Sequence, residues 1–143
     1  MKKTLKIVVA LLLCMTVVFA CAACTNSSPK SVVKAYVSAM NKGNVDKILS
    51  CCYFSTETGK GAAKDTLNAI YGDGKDADYS YKISNLEVSD ETDESATVKG
   101  TLKTTYKDSN GNEKSSEDTV TYKCVKKDGK WYVTYNPLDW IFG

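Results

Sequence analysis

Ala96-Thr97-Val98-Lys99-Gly100-Thr101-Leu102-Lys103-Thr104-Thr105-Tyr106 sets apolar or small residues mostly at even positions against Thr and Lys at odd ones. A period of two turns one set toward a core and the other toward water, so the stretch reads as a half-buried strand. Downstream, Val120, Tyr122 and Cys124 keep the apolar phase with Thr119, Thr121 and Lys123 opposite, which predicts a neighbouring strand. Upstream, Tyr79, Tyr81 and Ile83 alternate in one phase and Leu86 and Val88 in the other, so a bulge or bend is expected at Ser84-Asn85. Asp108-Ser109-Asn110-Gly111-Asn112 turns the chain between two of these strands, and Asp90 to Glu94 is a charged loop between two others. Lys127-Asp128-Gly129-Lys130 is a tight hairpin signal, after which Trp131, Val133 and Tyr135 alternate until Pro137 breaks the ladder.

Before the strands the period is helical. Pro29 sits at a first-turn position with Ser28 as N-cap, and Val32, Val33, Tyr36, Val37 and Met40 share one face until Lys42-Gly43 ends the helix. Asn44 caps a second short helix with Val45, Ile48, Leu49 and Cys52 on a common face. A third helix is expected after the polar Ser55 to Gly61 stretch, where Ala63, Leu67 and Ile70 recur before Gly72-Asp73-Gly74. Helices first and a meander second define an α+β class: N-terminal helices packed on one face of a curved four-stranded antiparallel sheet. The other face is rich in Lys and Thr.

The N-terminus carries an address. Lys2, Lys3 and Lys6 precede an uncharged run from Ile7 to Ala20, closed by Val18-Phe19-Ala20-Cys21 and then Ala22-Ala23-Cys24. A basic end, a short apolar run and small residues before a cysteine make an export signal, and this one resembles bacterial lipoprotein signal peptides. Residues 1–20 are expected to be the signal, with Cys21 (alternatively Cys24) carrying the lipid, residues 21–28 a linker, and 29–143 a single domain on the outer face of the cytoplasmic membrane. Two acyl chains on one sulfur would hold such a domain stably.

Composition removes whole classes of function. Three of the 19 lysines leave with the signal, so 16 remain against 17 Asp and Glu, a net charge of −1, and there is no Arg. Without a basic footprint or the bidentate guanidinium fork, no nucleic-acid partner is expected. With no His, a Ser-His-Asp or Cys-His nucleophile and a His-ligated metal are impossible within the chain. Asp108, Asn110 and Asn112 imitate the start of a calcium loop, but Glu113 and Thr119 stand where such a loop needs Gly and Glu. No metal and no cofactor are expected.

Ser28-Pro29-Lys30-Ser31-Val32-Val33-Lys34-Ala35-Tyr36, Asn41-Lys42-Gly43-Asn44-Val45-Asp46-Lys47 and Lys127-Asp128-Gly129-Lys130-Trp131-Tyr132-Val133 together resemble a nuclear-transport-factor-two-like (cystatin-like cone) domain. More narrowly, the chain resembles small uncharacterised lipoproteins of Gram-positive bacteria that carry this domain. The resemblance implies a curved sheet closed by helices into a cone whose mouth is a ligand or active site in some relatives and filled in others. Relatives such as the ketosteroid isomerases place a carboxylate base and a Tyr donor inside the cone. Here Glu94 and Asp118 are expected only at strand ends, and Asp46 or Asp65 would have to enter from the helices. Tyr36, Tyr106, Tyr122 and Trp131 are the candidate pocket lining, with packing of their rings as the alternative role.

Outside the cytoplasm a disulfide persists, and Cys52 and Cys124, both in buried phases, are a candidate pair, with buried free thiols the alternative. A Cys51–Cys52 bridge is disfavoured because neighbouring Cα atoms lie too close. Trp140-Ile141-Phe142 is expected to fold over the open end of the core, or else to anchor a partner. The combined expectation is a lipid-anchored, non-catalytic binding domain, monomeric or weakly homodimeric, that contacts an envelope protein or holds a small apolar ligand in the cone. A small carboxylate- and Tyr-dependent enzyme of isomerase or dehydratase type, and a weak homodimeric assembly module, are the alternatives.

Overall fold

A computed structural model describes residues 26–72 and 79–134. The segment expected to be a signal (residues 1–20), Cys21, Cys24, Tyr135, Pro137 and Trp140-Ile141-Phe142 lie outside the described residues.

Helix α1 spans Pro29–Asn41, and its start is the expected one: Ser28 Oγ accepts from Ser31 N at 3.1 Å while Ser31 Oγ accepts from Ser28 N at 3.0 Å, a reciprocal capping box. Gly43, at φ 59°, ends it in the left-handed region, donating to Met40 O at 3.0 Å. Helix α2 is Val45–Ser50, capped by the Asn44 side chain, which accepts from Lys47 N. It is followed by a two-residue strand, β1 (Cys52–Tyr53), so Cys52 belongs to a strand and not to the helix.

Helix α3 spans Glu57–Tyr71 and begins earlier than the sequence pattern suggests. Thr56 Oγ1 accepts from Gly59 N at 3.1 Å, and this cap, with burial of Ala63, Leu67 and Tyr71, carries the helix through Gly59 and Gly61. Each interior glycine costs about 1 kcal/mol relative to Ala, a sum that tertiary packing exceeds. The inward residue of the last turn is Tyr71; Ile70 is 52% exposed.

The strands β2 (Tyr79–Ser89), β3 (Ser95–Lys107), β4 (Glu113–Lys127) and β5 (Lys130–Thr134) form the expected meander, but the sheet has five strands in the order β1-β5-β4-β3-β2. β1 runs parallel to β5, so the sheet is mixed and not purely antiparallel. Its two residues are too few to show a period. The slip predicted at Ser84-Asn85 is present as a register shift between Ser84 and Glu87, with Asn85 at φ 52°. Asp128 (φ 50°) and Gly129 (φ 75°) make the two-residue turn between β4 and β5.

Even-numbered residues in the first half of β3 and the second half of β4 face the helices. Ala96, Val98, Cys124, Trp131 and Val133 pack there against Val32, Val33, Tyr36, Val37, Met40, Ile48 and Leu67. Each fully buried Val, Ile or Leu contributes roughly 1.5 to 3 kcal/mol of transfer free energy. Two asparagines tie strand backbones to residues outside the sheet. Asn41 at the end of α1 meets the backbone of edge strand β2, accepting from Tyr81 N at 2.6 Å and donating to Tyr81 O at 2.5 Å. Asn26 does the same for β5, its backbone O accepting from Trp131 N at 2.9 Å and its Nδ2 donating to Trp131 O at 2.7 Å. The end of the expected linker is therefore part of the folded body.

Candidate functional site

The concave face of the sheet is where a cone-shaped domain would hold a ligand, and aromatic and aliphatic groups occupy it. Tyr36 from α1 and Tyr122 from β4 meet edge to face, centroids 6.0 Å apart at 69°. Alternation brings Tyr122 inward and helical spacing brings Tyr36 down onto it. Burial pushes the Tyr122 hydroxyl up to about 12. The other two candidate lining residues stand elsewhere. Tyr106 stacks on Tyr79 at 5.8 Å and 19°, at the end of the sheet beyond the helices, where Tyr79 is 41% exposed. Trp131 is buried near Asn26, with Lys126 Nζ 5.8 Å from its ring centroid.

Val133 on β5 is the register partner of both Cys52 and Cys124. Two inter-strand steps of about 4.8 Å separate those Cα atoms by roughly 10 Å, beyond the ~7 Å that a disulfide spans. The candidate Cys52–Cys124 bridge is therefore corrected to two buried free thiols, with Cys51 a third. Burial pushes Cys52 and Cys124 up to about 12, and raises Cys51 as well. Thiols held neutral in this way are poor nucleophiles.

Among the described residues no charged side chain is buried. Asp46 is exposed and pairs with Lys64 at 3.4 Å, and Asp65 and Glu94 also face solvent. Asp118 departs from expectation: it lies in the middle of β4, opposite Leu102 and in the inward phase, because β4 is longer than its apolar pattern. It is nonetheless exposed. Asp108 is a turn residue whose Oδ1 accepts from Asn110 N and Asn112 N, both at 2.9 Å. Those backbone hydrogen bonds, Asn112 first, hold its carboxyl below the usual range. No group of three potential metal ligands occurs among the described residues.

An open groove of about 450 Å³ lies at the other end of the helical layer, where β1 and β5 finish side by side. Tyr53, Phe54 and Thr134 contribute from the sheet end, and Gly59, Ala62 and Thr66 from α3. None of the four aromatic residues singled out in the sequence lines it. Its signal, small residues at helical spacing, becomes visible only once α3 is known to start at Glu57.

The family model "Anti-sigma-I factor RsgI9, C-terminal domain" matches residues 31–139. The chain belongs to that family. No curated protein matches its sequence. Among solved structures, the association domain of C. elegans CaMKII is 17% identical at a TM-score of 0.55, over 71% of this chain and 84% of that one. A cystatin-like protein of unknown function from Nostoc punctiforme is 14% identical at 0.56, over 78% and 96%. A ketosteroid isomerase-like protein from Erwinia carotovora atroseptica is 16% identical at 0.53, over 73% and 86%. These likenesses establish the cystatin-like cone fold.

Proposed function

We propose that the protein is a lipid-anchored, extracytoplasmic recognition domain that contacts another envelope protein and turns over no substrate. The observation that carries this reading is the concave face: Tyr36 packs on Tyr122 there, and none of the described carboxylates is buried within it. Proton-transfer chemistry of the isomerase kind needs a base held in a dry pocket, whereas recognition needs a rigid body and an accessible surface. The family's description, the C-terminal domain of an anti-sigma-I factor, supports the same side of the choice, since an anti-sigma factor is named for a protein partner.

The tether belongs to the proposal. Asn26 is bonded to β5, so a lipid on Cys21 would sit five residues from the folded body. Five extended residues span at most about 17 Å, which would keep the domain close to the headgroups.

Feeding labelled fatty acid to cells making the full chain tests the anchor: label on the wild type, lost in Cys21→Ser, is expected. Loss only in Cys24→Ser would move the attachment point, and no label on any form would remove the anchor altogether. Intact-mass analysis of the membrane-extracted protein then addresses recognition, because a small molecule retained in the cone would displace the protein-partner reading.

A further inference from the structure

We propose that the sheet face turned away from the helices docks on a bilayer surface carrying anionic headgroups. The register puts Lys82 opposite Lys103 and Lys127 opposite Lys130, while Lys99 and Lys123 stand opposite Glu87 and Thr97 respectively. Alternation from the buried Ala96, Val98 and Cys124 turns all six lysines outward, and each is exposed. Like charges directly opposite one another destabilise a sheet, so two such pairs carry a cost that a bound anion would relieve. Glu87 and Glu117 lie within the array, each beside one lysine, and leave it an excess of positive charge. Among the described residues none of the six lysines forms an ion pair; Lys127 Nζ lies 5.7 Å from the Tyr53 ring centroid instead.

The excess is local. Acidic residues gather elsewhere, with Asp90, Glu91, Asp93 and Glu94 in one loop and Asp46, Glu57 and Asp65 on the helices. The lysines spread across four strands, about 14 Å, and from the Lys82 row to the Lys127 row, about 33 Å along β4. Charges distributed in two dimensions fit a plane of headgroups, whereas a single polyanionic strand follows a line or cleft of positive charge. From Ser95 to Lys107 every outward residue of β3 is Ser, Thr or Lys, and their hydroxyls and ammonium groups are donors suited to phosphate oxygens. With no apolar side chain to insert from this strand, the contact is electrostatic and yields to salt. Each lysine close to an anionic bilayer strengthens attachment about fivefold. The tether proposed above would hold this face within reach of the headgroups, but the lysine array does not depend on it.

The test places the full chain on vesicles of phosphatidylcholine alone and of phosphatidylcholine mixed equally with phosphatidylglycerol. A membrane-impermeant acylating reagent is applied, and modification of each lysine is read by peptide mass analysis. On the mixed vesicles, modification of Lys82, Lys99, Lys103 and Lys123 should fall several-fold and return at high salt, while the exposed Lys34 and Lys60 on the helices stay equally reactive. Lys99→Glu with Lys103→Glu, at exposed positions, should remove the protection of Lys82 and Lys123. Lys34→Glu with Lys60→Glu, the same change of charge on the helices, should keep it. Equal reactivity on both kinds of vesicle, protection shared by Lys34 and Lys60, or loss of protection in the helical variant would overturn the proposal. So would protection by soluble polyphosphate with none by the mixed vesicles, which would give the face to a linear polyanion. Fatty-acid labelling reads the anchor separately, so docking and anchoring can each fail without the other.

Discussion

Gly100 sits in the inward phase of β3 beneath the bulge of β2, and the bulge requires it. A Cβ built there would lie 2.7 Å from Leu86 Cδ2 and 3.1 Å from Ser84 O, the second a backbone atom with little room to retreat. Gly100→Ala should therefore lower the urea midpoint by about 1 to 2 kcal/mol equivalent at unchanged m-value, and Gly100→Val should cost more. The buried thiols make a second prediction at this scale. Cys52 and Cys124 ionise near the ordinary 9.0 when unfolded but only at about 12 when folded. Between those values the unfolded chain sheds protons that the folded chain retains, so the stabilisation is complete below pH 9 and drains away as pH rises toward 12. Denaturation midpoints measured from pH 8 to 11 should fall, and a Cys52→Ala/Cys124→Ala variant should fall less steeply. Alternation placed Cys124 in the buried phase correctly; the lateral order of strands, which no local pattern carries, excluded its bridge to Cys52.

Asn41 illustrates how an element's end can hold a sheet. Edge strand β2 has only β3 as a neighbour, and Asn41 supplies at Tyr81 the two hydrogen bonds that another strand would have made. Asn41→Ala leaves that donor and acceptor unsatisfied in a partly buried setting, which should cost about 1 to 3 kcal/mol. Amide exchange at Tyr81 should accelerate with it, and a freed edge should raise the aggregation rate. In the sequence Asn41 reads as an ordinary helix-end residue before Lys42-Gly43, because the same polar signature serves turns and long-range clamps. Strands β2 to β5 were legible because each is long enough to display a period of two, and α1 because cap and apolar face agree. Strand β1 was not, since parallel pairing to β5 alone makes its two residues a strand. The start of α3 was hidden by glycines that favour a loop until packing is included.

At the scale of the whole molecule the two faces of the sheet divide the work. The concave face is buried under α1 and α2, while the opposite face presents Lys82, Lys99, Lys103 and Lys123 among Thr97, Thr101, Thr105, Thr119 and Thr121. Bringing two such faces together would oppose lysines and desolvate hydroxyls, and a stable interface needs an apolar centre. The domain from Asn26 onward should therefore sediment as a monomer at micromolar concentration, and raising the salt should leave that mass unchanged. A dimer through this face would instead be disrupted by Thr101→Glu. The candidate site was the least legible feature at this scale: Tyr36 and Tyr122 were placed inward by periodicity, yet Tyr106 shares that phase and ends up beyond the helices.

Local periodicity and turn chemistry by themselves determined the α+β class, the meander, the bulge and the inward faces, because a backbone's period of two or 3.6 is written residue by residue. Missing His and Arg likewise excluded chemistries whatever the fold. Tertiary structure alone decided the fifth strand, the separation of Cys52 from Cys124, the two asparagine clamps and the groove beside Thr134. Each of these depends on which elements lie next to one another, a choice made by the summed packing of the core and not by any one segment.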